Sequence, residues 1–372
     1  MKLTIERTAL LKALGHVQSV VERRNTIPIL ANLLLSAGEG QVGVSATDLD
    51  MEVTDSRPAK VERAGQITTH AHTLYEIVRE LPDGAEVSLD YTGQDPRLEL
   101  RAGRSRFNLP VLPAGDFPMM PSDGLSDPIA IAAADLIRLI DKTGFAMSAE
   151  ETRYFLNGLF FHPVEEDGLR KLRAVGTDGL RLALAETLSP QGFPATRGVI
   201  IPRKTVNEAR RLMDDAGASV AVSVSAQKIR FAFGNATLTS KVIDGTFPAY
   251  ANVLPRNNNR AMTLDNALFT AAVRRVVAVS AEPTRAVQMA IEANHMTLTV
   301  RTMDAGQAVE ELEVDYGGEP FEIRFNARYV LDATAQIDGE VAQFRFAGPD
   351  DPALLRDPAD AGVQYVLVPM RI

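Results

Sequence analysis

Apolar and polar positions alternate along this chain in two rhythms, and the pair of rhythms recurs in each third of it. The stretch "ALLKALGHVQSVV" (9–21) puts Leu10, Ala13, Leu14, Val17 and Val21 on one helical face. Segments "ADLIRLIDKTGFAM" (134–147) and "NALFTAAVRRVVAV" (266–279) sit at matching places further on. A second helical segment follows in each third: "AHTLYEIVREL", "PRKTVNEARRLMD" and "NARYVLDATAQI". Each runs through a short Asp- and Gly-bearing turn into an alternating strand, "DGAEVSLDY", "DDAGASVAVSV" and "DGEVAQFRF". Strict alternation of this kind marks a half-buried antiparallel strand.

Finer landmarks keep the same stride. "VSATDLDMEV" (44–53) matches "AVGTDGLRLA" (174–183), with Asp48 and Asp178 130 residues apart. Phe117 and Phe247 close two further matching stretches, again 130 apart. A weaker third corner, "LTVRTMDAGQAVEEL" (298–312), carries Asp304. Units this long each bury their own core, so the repeat is a domain duplication and not a solenoid. The pattern predicts an α+β fold of three tandem similar domains, 1–121, 128–253 and 257–372, each with two helices and antiparallel sheets. Turn-rich connectors at 118–128 and 255–260 separate them.

Composition narrows the class. The 372 residues are 45% hydrophobic and 23% charged, a soluble globular balance, and include no Cys. Disulfides and thiolate metal sites are excluded, and a reducing cytoplasm is the expected setting. The opening "MKLTIERTALLKAL" lacks the uncharged core of a signal peptide, and no apolar run reaches the roughly 20 residues of a membrane span. The net charge of −9 argues against a uniformly basic nucleic-acid binder. Its distribution changes that picture. Six helix windows (8–24, 72–80, 135–147, 202–214, 266–279 and 326–336) carry 13 Lys and Arg against 8 Asp and Glu, so the rest of the chain holds a net −14. Arg138 and Lys142 share a helix face, and Arg203, Lys204, Arg210 and Arg211 cluster on another. Solvated helix faces account for such runs, as does a surface that attracts phosphate. Trp is absent and no aromatic-rich strand appears, which disfavours stacking on unpaired bases.

Motifs with chemistry fail on context. Gly38, Gly40 and Gly43 match a dinucleotide fingerprint, but a strand-like run follows where a helix N-terminus is needed, so a hairpin turn is expected. His70 and His72, two apart, share a strand face in this reading but lack a third ligand; no metal or cofactor is expected. Asp178 at a Thr-Asp-Gly corner reads as turn chemistry, because Asp accepts from nearby backbone N–H groups and no catalytic partner is readable nearby. A hydrolase using Asp178 with Arg181 is the enzymatic alternative.

Taken together, "TIPILANLLL" (26–35), "TDLDMEV" (47–53), "AGRSRFNLPVLPAGDFP" (102–118), "RYFLNGLFF" (153–161), "TDGLRLA" (177–183), "VIIPRKTV" (199–206), "VIDGTFPAYANVLP" (242–255), "FNARYVLDA" (325–333) and the terminal "YVLVPMRI" resemble the bacterial DNA polymerase III β subunits, the sliding clamps. The resemblance runs over essentially the whole chain. It implies a non-catalytic processivity factor: a head-to-tail homodimer whose six domains close into a ring around double-stranded DNA, helices inside and sheets outside. DNA contacts are expected at Arg24, Arg138, Lys142, Arg203, Lys204 and Arg210; Arg24 and Lys204 match family contact positions, and the others rest on helix facing. The family's pocket takes short apolar-containing peptides from the polymerase catalytic subunit, the clamp loader, and mismatch-repair proteins and other polymerases. The matching positions are Leu156, Thr177, Gly179, Arg181 and Leu182, then Pro248 and Val253, then Val366, Val368, Pro369, Met370 and Arg371, with Arg153 and Tyr329 nearby. Arg153, Arg181 or Arg371 would hold a polar or acidic flank. Dimer closure would set Arg104, Arg106 and Phe107 of one subunit against Ala278, Val279, Glu310, Glu311 and Glu313 of the other. Leu180 stands where many relatives carry His, and Ala251 and Asn252 where some carry basic residues. A protein scaffold that never encircles DNA is the non-enzymatic alternative.

Overall fold

The computed structural model describes residues 1–371 apart from 191, 194–197, 216, 280–285 and 303–305. Asp304 lies outside the described residues. Six α-helices are present among them: α1 (Arg7–Val17), α2 (Ala71–Glu80), α3 (Ala133–Gly144), α4 (Arg203–Leu212), α5 (Asn266–Val277) and α6 (Ala327–Thr334). Helices α1, α5 and α6 start where an acceptor side chain meets an orphan N–H: Glu6 accepts from Ala9, Asp265 from Leu268 and Asn326 from Arg328. Helix α1 ends at Val17, well inside its 8–24 window, so Arg23 and Arg24 lie in an irregular segment beyond it. His70 corrects the shared-face expectation: it ends strand Gly65–His70 and caps α2, whereas His72 is already helical and contacts Gln18 and the Val21 carbonyl.

The chain divides into two compact units. The first holds residues 1–134 and 204–242. Its strands run in one antiparallel order: Ile129–Ala132, Ser219–Val224, Lys228–Phe233, Ala236–Lys241, Met51–Pro58, Gln41–Thr47, Asn32–Gly38, Gly65–His70, Ser105–Leu112, Arg97–Ala102, Glu86–Asp90, Lys2–Glu6 and Lys60–Arg63. The decisive pairing joins Ala236–Lys241 from the middle of the chain to Met51–Pro58 near its start, Glu52 opposite Thr239. Strands Asn32–Gly38 and Gln41–Thr47 make the hairpin expected at Gly38 and Gly40, with Gly40 at φ 73°.

The second unit holds residues 135–203 and 243–372. One sheet runs Val199–Pro202, Gly158–Glu166, Leu169–Thr177, Arg181–Leu188, Val363–Leu367, Ala353–Arg356, Val341–Phe346 and Arg260–Asp265. Here Arg181–Leu188 pairs with Val363–Leu367, Leu182 opposite Val366. A separate four-stranded sheet runs Gly306–Glu313, His295–Thr302, Ala286–Glu292 and Phe321–Asn326. Its alternation predicts its burial: Val287, Met289 and Ile291 point inward, as do Met296, Leu298 and Val300.

Candidate peptide groove, cationic positions and open edges

The groove forms in the second unit because the Thr177–Arg181 corner turns the chain sharply between two central strands. Thr177 Oγ1 donates to the Arg181 carbonyl (2.6 Å) and accepts from Gly179 N–H (3.1 Å). Asp178 Oδ1 accepts from Leu180 N–H (2.9 Å) and Arg181 N–H (3.0 Å). Gly179 sits at φ 90°, a conformation that disfavours a side chain. Asp178 is thus a turn residue.

Beneath the corner, Leu156, Leu182, Leu184, Phe247, Tyr250 and Val366 pack into one buried apolar cluster. Burying each such side chain stabilises by about 1.5–3 kcal/mol. Around it, large apolar groups stay in water: Tyr154 is 54% exposed, Leu180 52%, Val253 55% and Met370 41%. Pro248 is exposed, Val368 is half-buried and Pro369 is buried. The C-terminal segment is held by Val368 N–H to the Leu180 carbonyl (3.0 Å) and Met370 N–H to the Arg324 carbonyl (2.8 Å). A buried apolar floor ringed by exposed apolar side chains suits a short apolar segment.

The flanking cations divide. Arg181 is buried and fully engaged: Asp178 (3.0 Å), Asp332 (2.6 Å) and the Phe145 carbonyl (2.8 Å) take its donors, and Tyr329 lies 4.4 Å beneath it. With its donors taken inside the chain, Arg181 braces the corner. Burial and the neighbouring Asp178 carboxylate raise the Tyr329 hydroxyl pKa. Arg153 pairs with Glu150 (2.7 Å) in the open and lies across the corner, where a Cβ on Gly179 would stand 2.7 Å from its guanidinium. Arg371 is exposed.

The predicted DNA contacts also divide. In the second unit, Arg138 holds Asp360 (3.0 and 2.5 Å) and the Glu186 carbonyl (2.9 Å). Lys142 is buried against the Gln336 carbonyl and Asp338 (2.8 Å). Lys142 is thus buried and Arg138 half-buried, each with an acidic partner. Arg203 reaches the Met147 (2.6 Å) and Ser148 carbonyls. In the first unit, Lys204 is half-exposed between Asp48 (2.5 Å) and Glu22 (3.3 Å), which hold its ammonium pKa up although burial opposes them. Arg210 pairs with Asp214 (2.8 Å). Arg24 is exposed and has no ion pair among the described residues.

Two strand edges stay open. In the first unit, residues 105–110 of Ser105–Leu112 pair with Arg97–Ala102, but the strand meets a neighbour on its other side only at Val111 and Leu112. Arg104, in the turn before it, and Arg106 on it are exposed, Phe107 is half-buried, and Arg106 contacts Glu99. In the second unit, Gly306–Glu313 is an edge strand. Glu310 is paired there with Arg275 of the same chain (3.0 Å). Glu311 and Glu313 are exposed, as is Ala278 beyond α5, with Val279 half-buried.

Models of the DNA polymerase III beta subunit match the chain in order: the N-terminal domain over residues 1–121, the central domain over 130–249 and the C-terminal domain over 251–371. The beta sliding clamp of Caulobacter vibrioides is 65% identical over 100% of both chains. The chain belongs to the DNA polymerase III β subunit family, the β sliding clamps. The Escherichia coli K12 beta sliding clamp is 36% identical, again over 100% of both chains. Among solved structures, Caulobacter crescentus pol III beta superposes with a TM-score of 0.97 at 65% identity, covering 100% of both chains. A Bartonella birtlesii sliding clamp bound to griselimycin superposes with 0.96 at 43%, also covering 100% of both. The fold of three tandem clamp domains is thereby established.

Within this clamp, sequence reasoning overlooked the polar support of the groove. Arg173 is buried and holds Glu186 (2.7 Å), Glu166 (2.7 Å) and the Tyr250 hydroxyl (3.1 Å). Its signal was present: Arg173 falls in "KLRAV", where alternation gives way to continuous apolar burial. In the first unit, His16 is buried and bridges Asp55 (2.6 Å) and Asp215 (2.9 Å), which sequence reasoning also missed.

Proposed function

We propose that this chain encircles duplex DNA as a head-to-tail homodimeric ring of six domains, with boundaries at 1–121, 128–253 and 257–372, and tethers the replicative polymerase. The reading rests on one observation, full-length membership of the β sliding clamps at up to 65% identity among the relatives named above. A closed ring leaves DNA only over an end, so weak, salt-screened phosphate contacts suffice and permit sliding. Arg24 is the leading contact, followed by Lys204 and Arg210, whose exposed ion pairs are exchangeable; Arg203, Arg138 and Lys142 are too engaged to contribute comparably. The groove around Leu182 and Val366 takes apolar peptide segments of the polymerase catalytic subunit, the clamp loader and repair proteins. The open edges at 105–110 and 306–313 pair between subunits, with Arg104, Arg106 and Phe107 meeting Ala278, Val279, Glu311 and Glu313. No catalysis is assigned: Asp178 is engaged in its turn and Arg181 in its brace. The replication role places the protein in the cytoplasm, and no helix among the described residues is long and apolar enough to cross a membrane.

Solution mass and retention on DNA test this together. The dimer has about twice the 40.3 kDa chain mass, and clamp loaded on nicked circular DNA is retained until the circle is linearised. A monomer at micromolar concentration, or equal retention on short linear duplex, overturns the ring.

A further inference from the structure

His162 lies outside every role assigned so far, yet two supports of the groove converge on it. The outer wall of the groove is residues 247–253. Of these, Pro248, Ala249, Ala251, Asn252 and Val253 are exposed, and only Phe247 and Tyr250 are buried. These two side chains anchor the wall. Phe247 stacks on Phe160 (centroids 4.9 Å apart, 10° between planes), and Phe160 stacks on His162 (4.5 Å, 20°). The Tyr250 hydroxyl meets His162 Nε2 at 2.9 Å.

Hydrogen-bond direction follows from the third partner. Arg173 has only donors, and its Nη1 lies 3.1 Å from the Tyr250 oxygen. That oxygen therefore accepts from Arg173 and directs its own proton at His162 Nε2. Nε2 must then be bare, which leaves the ring proton on Nδ1, where it donates to the Pro163 carbonyl at 3.2 Å. Burial, with Arg173 directly opposite on the neighbouring strand, lowers the His162 pKa and favours this neutral form.

We propose that neutral His162 is a positioning residue for the peptide groove, holding the 247–253 wall through its acceptor to Tyr250 and its stack beneath Phe160 and Phe247. The inference rests on the reading of the groove as a peptide site. A proton on Nε2 would face the Tyr250 hydroxyl with a second donor, removing the acceptor that orients it. The charged and titratable groups arrayed about the ring among the described residues are Arg173 and Tyr250, with Lys171, Glu166 and Glu186 behind Arg173. Glu166 and Glu186 are held by Arg173, so the cation nearest the ring is Arg173, and it opposes protonation.

The test uses the full-length clamp and fluorescently labelled peptides cut from the polymerase catalytic subunit, titrated at pH 7.5. His162→Phe keeps a ring for the stack but offers no acceptor, and is expected to bind about 3- to 10-fold more weakly than wild type, the usual net value of one hydrogen bond. His162→Gln, whose amide oxygen can accept from Tyr250 but which lacks the ring, recovers part of that loss. Thermal melts confirm that the variants are folded. A His162→Phe variant with wild-type affinity, or a His162→Gln variant that binds no better than His162→Phe, overturns the inference. Failure of wild type to bind any peptide overturns the groove itself, a different outcome.

Discussion

The Thr-Asp corner and its partner strand are built twice, once in each unit, with nearly the same hydrogen bonds. In the first unit Asp48 Oδ1 accepts from Asp50 N–H (2.9 Å) and Met51 N–H (2.8 Å); in the second Asp178 does so from Leu180 (2.9 Å) and Arg181 (3.0 Å). The partner strand leaves each corner through the same bond, Lys241 N–H to the Asp50 carbonyl (2.9 Å) and Val368 N–H to the Leu180 carbonyl (3.0 Å). What differs is the floor. Where the second unit pairs Leu182 with Val366, the first pairs Glu52 with Thr239. Glu52 is buried, and its Oε2 accepts from Met120 N–H (2.9 Å), which draws the chain after Phe117 onto the floor. After Phe247 the chain instead turns on itself, Tyr250 N–H to the Pro248 carbonyl at 2.7 Å. One backbone plan thus supports two surfaces, an apolar floor in the second unit and a polar one in the first.

Exchanging the floor residues is the strongest way to break the comparison. Leu182→Glu with Val366→Thr gives the second unit the floor of the first. Peptide binding is expected to fall at least about 100-fold, because the anchor's apolar contact is replaced by a carboxylate that costs several kcal/mol to desolvate. Part of the loss will come from stability, so Leu182→Ala serves as a control, destabilising by about 2–5 kcal/mol. Peptide titration beside thermal melts separates the two effects. Undiminished binding in the folded double variant would mean that the floor is not the contact.

A second test follows from the ionisation of Glu52. Burial raises its carboxyl pKa above the ordinary 4.5, despite the Met120 N–H and the nearby Arg230. A raised folded-state value means that the stabilisation is fully present below about pH 4.5 and is lost as pH rises through the folded-state value. Glu52→Gln keeps an oxygen for Met120 and removes the charge. Its melting temperature is therefore expected to exceed that of wild type at pH 8, with the gap closing as pH falls toward 4. A gap that is constant with pH would assign the effect to packing.

The sequence carried the duplicated plan well because its signals are local. Asp48 and Asp178 could be read as turn residues because their acceptors serve N–H groups two and three positions on. Helix starts and alternating strands were legible for the same reason. The engagement of the cations was not. Arg138 shares a helix face with Lys142, but its partner Asp360 lies 222 residues away, and no periodicity reports such a pairing. Arg181 escaped in the same way, since Asp332 and Phe145 meet it only in the folded unit. The floor difference was half legible: Glu52 and Leu182 occupy matching places in "TDLDMEV" and "TDGLRLA", but the burial of Glu52 and its bond to Met120 are tertiary facts.

The finest contrast lies at the residue after each aspartate. Gly179 is at φ 90° and Leu49, in the matching place, at φ 78°. An L-residue held left-handed costs roughly 1–2 kcal/mol, a cost glycine does not incur. Leu49→Gly is therefore expected to stabilise the protein by up to about 1 kcal/mol, the strain relieved being partly offset by the greater freedom of glycine in the unfolded chain. Gly179→Ala should cost about 1 kcal/mol, and it has a second consequence that Leu49→Gly lacks. The new Cβ would stand 2.7 Å from the Arg153 guanidinium, so Arg153 must swing away from the corner. Peptides with an acidic flank should then lose affinity relative to neutral ones if Arg153 reads that flank, while Leu49→Gly leaves both unchanged. Melts of the two variants with opposite signs, together with a flank-dependent loss confined to Gly179→Ala, would show that one corner has been kept for its turn alone and the other for what lies across it.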